Sequence, residues 1–266
     1  MLYLVCTPIG NLQDVTLRAL EVLKSVSLIL AEDTRHSAIL CAQYGITAPM
    51  ASYQKFNEKS KCNEIAERLR AGEDIALITD AGTPCISDPG GVLVQRLIDE
   101  GLPYTLVGSA CAFVSAAVLS GFSLGALAFG GFLPEKNAAR EKHLAQFASF
   151  GGCLTFYVSP HAWERDLACF AAAFGGRRAV LVREISKKFE ECVRFRLGET
   201  PDFTQKGEYV LVIEGQAPEN KRNALSVREH VQSYLDEGVP KKEAVKRTAA
   251  DRGVAKSDVY RQTVDM

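Results

Sequence analysis

Short apolar runs and longer helix-period segments alternate along the first 120 residues. Residues 2–6, 27–31, 49–53, 75–79 and 104–107 are brief β-favouring runs. Each is followed by apolar residues recurring every three or four positions: Val15, Ala19, Leu20, Val22, Leu23 and Val26 after the first, Cys62, Ile65, Ala66 and Leu69 after the third. Gly45, Gly72 and Gly101 close three of these segments, as glycine does where a helix must end in a left-handed residue. Five strand–helix units in this order predict a mostly parallel sheet with helices on both faces. Asp14 reads as the N-cap of the first helix and Asp88 as a cap for the helix after Gly90.

A second strand-rich stretch follows. Residues 126–132, 154–158, 179–183, 192–197 and 208–213 read as strands, with helices around 143–147 and 163–174. The last strands have no evident helix between them, so this sheet is expected to be mixed. Residues 216–226 read as a polar linker. Beyond it lie three short helix patterns: 227–235, one after Pro240, and one after Ser257, which reads as its cap. The expected organisation is an N-terminal α/β domain over 1–121, a C-terminal α/β domain over 122–215, and a linker with a three-helix tail over 216–266.

In such sheets ligands bind beyond the carboxyl ends of the strands. The segments at those ends are 7–11, 32–36, 53–57, 80–90 and 108–112, and they gather Asn11, Glu32, Asp33, Arg35, His36, Lys55, Asp80 and Asp88 on one edge. The 80–90 loop alone holds Pro84, Pro89, Gly82 and Gly90. That composition presents backbone rather than filling a core.

Composition narrows the classes. With 266 residues, 47% hydrophobic, the chain is a globular protein with ample core, and a net charge of −1 gives no global attraction to nucleic acid or membrane. From Pro240 onward, seven basic residues against four acidic ones leave a local +3, and a basic three-helix unit can touch a phosphate backbone. Eight cysteines form no CxxC pair, and no histidine pair has metal spacing, so no metal is expected. Dinucleotide, P-loop and hydrolase-elbow motifs are absent. Nothing in the chain reads as a secretory leader or a membrane span, so a cytoplasmic location without membrane attachment is expected.

Four stretches then carry a resemblance: Thr7-Pro8-Ile9-Gly10-Asn11, Ala31-Glu32-Asp33-Thr34-Arg35-His36, Asp80-Ala81-Gly82-Thr83-Pro84 with Ile86-Ser87-Asp88-Pro89-Gly90, and Gly131-Phe132-Leu133-Pro134. In this order, with Arg183-Glu184, Ser186-Lys187 and the terminal residues 256–261, they resemble the ribosomal RNA small subunit methyltransferase I family of the tetrapyrrole methylase superfamily. The resemblance implies a two-domain α/β fold, S-adenosylmethionine as cofactor in the cleft, a homodimer, and 2′-O-methylation of a cytidine ribose in small-subunit (16S) ribosomal RNA or the 30S subunit. On that basis Thr7, Pro8, Asp80, Ala81, Gly82, Thr83, Pro84, Ser109, Cys111 and Ala112 are expected to wall the cofactor. Asp33 or Glu32 would accept the hydroxyl proton. Arg35, His36, Lys55, Arg183, Lys187, Lys241, Lys242 and Arg261 would meet RNA. Asp80 is expected to shape the cofactor pocket and Asp88 to serve only as a cap.

The chain departs from the family pattern at Gly108-Ser109-Ala110-Cys111-Ala112, which lacks the usual prolines, and at residues 53–57, Val158 and Ala162. Two other readings remain open at this point: a methyltransferase acting on a tetrapyrrole, and a non-enzymatic RNA-binding assembly factor.

Overall fold

The computed structural model describes residues 1–216 and 221–266. Of the predicted linker, residues 217–220 lie outside the described residues, and Lys221–Ala224 form a 3-10 turn. Two compact units are present, Met1–Gly215 and Gln216–Met266.

The first unit opens with β1 (Leu2–Val5), α1 (Leu17–Ser25), β2 (Leu28–Ala31), α2 (Thr34–Tyr44), β3 (Met50–Ser52), α3 (Glu58–Arg70), β4 (Ile75–Ile78), α4 (Gly91–Glu100), β5 (Tyr104–Val107) and α5 (Ala112–Ser120). The strands form one parallel sheet in the order β3-β2-β4-β1-β5. Successive side chains on a strand point to opposite faces. Leu28, Leu30, Ile75 and Leu77 therefore pack with Ile65, Leu69, Leu93 and Leu97 of α3 and α4. Their alternates Ile29, Ala31, Ala76 and Ile78 pack with Ala19, Leu23 and Leu40 of α1 and α2. Covering on both faces explains why β2 and β4 are apolar throughout rather than alternating.

A second sheet follows: β6 (Leu127–Phe132), α6 (Asn137–Ala145), β7 (Cys153–Val158), α7 (Trp163–Phe174), β8 (Arg178–Arg183), β9 (Glu191–Arg196) and β10 (Tyr209–Ile213). Its order is β6-β7-β10-β8-β9; only the β6–β7 pair is parallel, so the sheet is mixed. One face carries Leu154, Phe156, Leu181 and Leu211 against Trp163, Leu167, Phe170 and Phe174 of α7. The other face, through Cys153, Val180, Val182, Val210 and Val212, is covered by α5 with Ala116 and Phe113. The helix that follows the first sheet thus covers the second, and the small residues of α5 permit that close contact.

The second unit is α8 (Val227–Asp236), α9 (Lys241–Arg252) and α10 (Lys256–Gln262) around Val231, Tyr234, Ala244, Val245, Ala249 and Val259. Ser226 and Glu229 form a reciprocal capping box at the start of α8.

Three expected caps are corrected. Asp14 lies in a 3-10 turn, and Thr16 caps α1 by accepting from the Ala19 N–H at 3.1 Å. Helix α10 begins at Lys256, after Ala255, so Ser257 is inside its first turn. Asp88 does not cap α4. Instead Glu58, reaching across from α3, accepts from the Gly90 N–H at 2.8 Å and the Val92 N–H at 3.0 Å. Among the described residues no helix is long and apolar enough to cross a membrane, and no cluster of three His, Cys, Asp or Glu could hold a metal ion.

Candidate active site

Adjacent strands β1 and β4 release their loops side by side at the carboxyl edge of the parallel sheet. The loops are joined there: the Thr7 N–H donates to Gly82 O at 2.9 Å and the Gly82 N–H to Thr7 O at 3.1 Å. The Thr7 hydroxyl also donates to Thr79 O at 3.0 Å.

The 80–90 loop beyond this link is conformationally strained. Cys85 (φ 72°) and Ser87 (φ 67°) both hold a left-handed backbone without being glycine. Such strain persists only where the surroundings enforce it. Here a Cβ on Gly90 (φ 129°) would lie 2.7 Å from Cys85 Sγ and 2.9 Å from Leu77 Cδ2, so a side chain there would have to displace both and hold a strained backbone. A second strained segment faces it from the other sheet, with Glu184 at φ 51° and Ser186 at φ 66°. Residues 185–187 press against the first loop so closely that a Cβ on Gly10 would sit 2.4 Å from Ile185 O.

Two cavities lie along this edge. The first, about 320 Å³, is walled by Ala81, Gly82, Thr83, Ile86 and Asp88 below, by Cys111 and Ala112 at the start of α5, and by Phe132, Tyr157, Ile185, Gly207 and Glu208 from the second sheet. The second, about 380 Å³, is walled by Thr7, Pro8, Gly10, His36, Ser37, Thr79, Asp80 and Lys187. Ile9, Ala81 and Glu208 belong to both walls, so the cavities are neighbours.

Carboxylates set the electrostatics. Burial, with the charge of Glu32 second, pushes the Asp88 carboxyl up to about 6, while Lys55 acts in the opposite direction. Burial and then Asp80 raise Glu32 as well. Lys55 Nζ donates to Ser87 O, which holds a cation beside this acidic group. Asp33 is the opposite case. Its Oδ1 accepts from the Arg35 N–H at 2.8 Å, the Arg35 guanidinium grips both its oxygens at 3.1 and 2.7 Å, and these bonds hold it well below the usual carboxylate range.

The predicted site residues therefore divide. Ala81, Gly82, Thr83, Cys111 and Ala112 line the first cavity, and Thr7, Pro8, Asp80 and His36 line the second. Pro84 is in neither wall, and the Ser109 hydroxyl donates to Asp14 O at 3.0 Å instead. Asp33 is a helix cap and ion-pair partner, which makes it a weak base. Asp80 accepts from the Asp33 N–H at 3.1 Å and faces the second cavity, whereas Asp88 faces the first. Arg183, only 11% exposed at its side chain, is held by Glu191 at 3.0 Å and Lys206 O at 3.1 Å, so it is not presented to a phosphate. Lys187 bridges Glu184 at 2.9 Å and Glu208 at 2.8 Å. In the second unit Lys241 donates to Val264 O at 3.1 Å and to Met266 O, Arg261 pairs with Asp258, and Lys242 is exposed.

Glu58, Ser37 and Thr79 were not legible as site residues. Each is a polar residue within a helix-period or strand-end pattern whose significance arises only from what it faces.

Residues 1–201 match the profile of the tetrapyrrole (corrin/porphyrin) methylases. The chain is 38% identical to a Bacillus subtilis protein named ribosomal RNA small subunit methyltransferase I, over 98% of this chain and 92% of that one. It is 40% identical to the Pseudomonas aeruginosa protein of the same name, over 99% and 96%. Its fold is similar to the crystal structure of uroporphyrin-III-C-methyltransferase from Thermus thermophilus, with a TM-score of 0.59 and 19% identity over 80% of this chain and 93% of that one.

Proposed function

Because this chain belongs to the tetrapyrrole (corrin/porphyrin) methylase family, we propose that it is an S-adenosylmethionine-dependent methyltransferase of small-subunit ribosomal RNA whose acceptor is the ribose 2′-hydroxyl of a cytidine. The near full-length similarity to relatives bearing the ribosomal RNA methyltransferase name carries this reading. The site's chemistry supports it.

The first cavity suits the cofactor. Ile86, Phe132, Tyr157 and Ile185 offer apolar and aromatic surface for a flat heterocycle, and Asp88 and Glu208 supply negative charge for a cationic group. Ala81 and Gly82 let backbone approach closely, and Thr83, Cys111 and Ala112 complete the wall. Bound there, S-adenosylmethionine supplies an electrophilic methyl group on a sulfonium sulfur. The chain's part is to hold the acceptor oxygen in line with that methyl and to take its proton. Positioning of this kind lowers the barrier without any covalent intermediate.

Asp88 is the proton acceptor in this reading. It faces the first cavity, and an affinity for protons near neutral pH is what a general base requires. Glu32 lies in the same acidic group and tunes Asp88 through its charge. Lys55, beside Ser87, balances that charge.

RNA contact falls to the exposed basic residues. Lys242 and the exposed Arg261–Asp258 pair can exchange water or a neighbouring carboxylate for phosphate, since surface pairs of this type are weak. Edge strand β5 exposes Tyr104 and Leu106, and α5 exposes Val114 and Val118. Apolar surface of this sort supports a homodimer. A ribosomal substrate supports a cytoplasmic location.

The test is methyl transfer from labelled S-adenosylmethionine to naked 16S RNA and to 30S subunits, with nucleoside analysis of the product. The reading expects 2′-O-methylcytidine from at least one substrate; no transfer to either overturns it. Deleting residues 216–266 is expected to abolish transfer if the tail docks RNA.

A further inference from the structure

The Ser37 hydroxyl in the second cavity has no hydrogen-bond partner among the described residues, and that of Thr79 is engaged only by Asp88. Ser37 (3% exposed) and Thr79 (1% exposed) both line it, and Ser37 Oγ and Thr79 Oγ1 are buried without a well-formed hydrogen bond. The Thr79 hydroxyl reaches toward Asp88 and, by hydrogen bonding, favours its charged form. Ser37 closes the first turn of α2, where a serine hydroxyl can bond the carbonyl four residues back. The Asp33 carbonyl is available there and accepts the Ser37 N–H at 3.0 Å, but not the hydroxyl. Leaving a buried hydroxyl such as that of Ser37 unpaired is unfavourable. Such groups are explained when a ligand completes them.

We propose that the second cavity holds the pyrimidine base of the acceptor nucleotide, with Ser37 and Thr79 as its hydrogen-bond partners and Asp80 selecting cytosine. This rests on the RNA methyltransferase reading above. Charge distinguishes the ligand class. Asp80 and Glu208 are both in the wall, and Lys187 is neutralised by Glu184 and Glu208, so phosphate or a polycarboxylate macrocycle meets net negative charge. A neutral heterocycle does not. It can lie on Leu12, Ile39 and Leu40 and exchange hydrogen bonds with the two hydroxyls. The exocyclic amine of cytosine donates to a carboxylate such as Asp80, where the corresponding uracil carbonyl is repelled. The walls shared with the first cavity bring the attached ribose toward the methyl donor.

The experiment uses the full chain with Ser37→Ala, Thr79→Val and Asp80→Asn. Binding of S-adenosylmethionine and of cytidine 5′-monophosphate is measured by calorimetry, and methyl transfer is measured on 30S subunits carrying either cytidine or uridine at the mapped position. Ser37→Ala is expected to melt at or above the wild-type temperature, since it removes an unpaired buried group, whereas Thr79→Val also removes the contact with Asp88 and is expected to melt at or below it. They should bind S-adenosylmethionine within twofold of wild type, yet raise KM for 30S and the Kd for the nucleotide at least tenfold. Asp80→Asn should reduce the cytidine-over-uridine preference at least tenfold. Wild-type KM, nucleotide affinity and base preference in these variants would overturn the proposal. So would the absence of nucleotide binding to the wild type. If wild type binds the nucleotide and the variants do not, but no protein methylates RNA, the RNA reading fails while the base site stands.

Discussion

The Glu58 carboxylate accepts hydrogen bonds from the Gly90 and Val92 N–H groups, 32 and 34 residues away in sequence, and so ties α3 to the end of the strained 80–90 loop. A buried carboxylate at a helix N-terminus satisfies donors that would otherwise be orphaned and complements the helix dipole. The loop it holds forms the floor of the first cavity.

Glu58→Ala is therefore expected to destabilise the protein by about 1–3 kcal/mol, the magnitude for buried donors left without a charged partner. It should also weaken S-adenosylmethionine binding, because Cys85 and Ser87 would relax from their left-handed conformations. Denaturant unfolding and calorimetry check the two effects. A variant that loses stability but binds cofactor normally would separate the cap from the site.

Asp88→Asn should lower kcat about 10²- to 10⁴-fold, the range for loss of a general base, and should also weaken cofactor binding, because it removes one of the two negative charges facing the cationic group. In the wild type, kcat/KM should rise with pH through about 6, because the base acts only when deprotonated. Stability runs the other way. A carboxyl whose folded affinity for protons exceeds its unfolded affinity contributes stability below the unfolded value of 3.8 and loses it as pH rises through about 6. The stability of Asp88→Asn relative to wild type should therefore increase across that window. Asp33→Asn, already committed to Arg35, should leave the pH profile in place.

His230 is fully buried in the second unit. Its Nε2 lies 3.1 Å from Asp251 Oδ2, Nδ1 accepts from Arg252 Nε at 3.1 Å, and its ring stacks on Tyr234. That acceptor role requires the neutral ring. Burial lowers its proton affinity, Arg252 and Arg222 act in the same direction, and Asp251 opposes them. The stability from this depressed group is complete above the unfolded value of 6.5 and is lost as pH falls below it. Hydrogen-exchange protection factors in α8 and α9, corrected for intrinsic rate, should fall between pH 7 and 5. Constant protection would contradict the assignment.

Gly10→Ala should push residues 185–187 away from the first loop, since its Cβ would meet Ile185 O at 2.4 Å and Lys187 Cγ at 2.6 Å. Overpacking against backbone costs about 1–3 kcal/mol. Because Ile185 walls the first cavity and Lys187 the second, both cofactor affinity and KM for RNA should deteriorate. Melting and binding curves for the variant check this.

Local pattern determined the elements and the edge on which the site lies. Apolar runs of four or five residues such as 75–79, followed by helix-period segments ending at Gly45 and Gly101, specify strands and helices through forces acting within a few residues. The composition of the 80–90 loop likewise marks it as backbone presented at a strand end rather than as core filling. Tertiary structure decided what each polar residue there does. Asp88 and Asp80 look alike in sequence, but burial beside Glu32 gives one a raised proton affinity at the first cavity, while the other turns to the second. Glu58 reads as an ordinary first-turn acid of α3 until α4 is brought against it. The small residues of α5 do not say which sheet they cover, and Ser37 and Thr79 acquire meaning only when packing removes water from their hydroxyls. Desolvation and proximity between distant segments, which no local window contains, make that distinction.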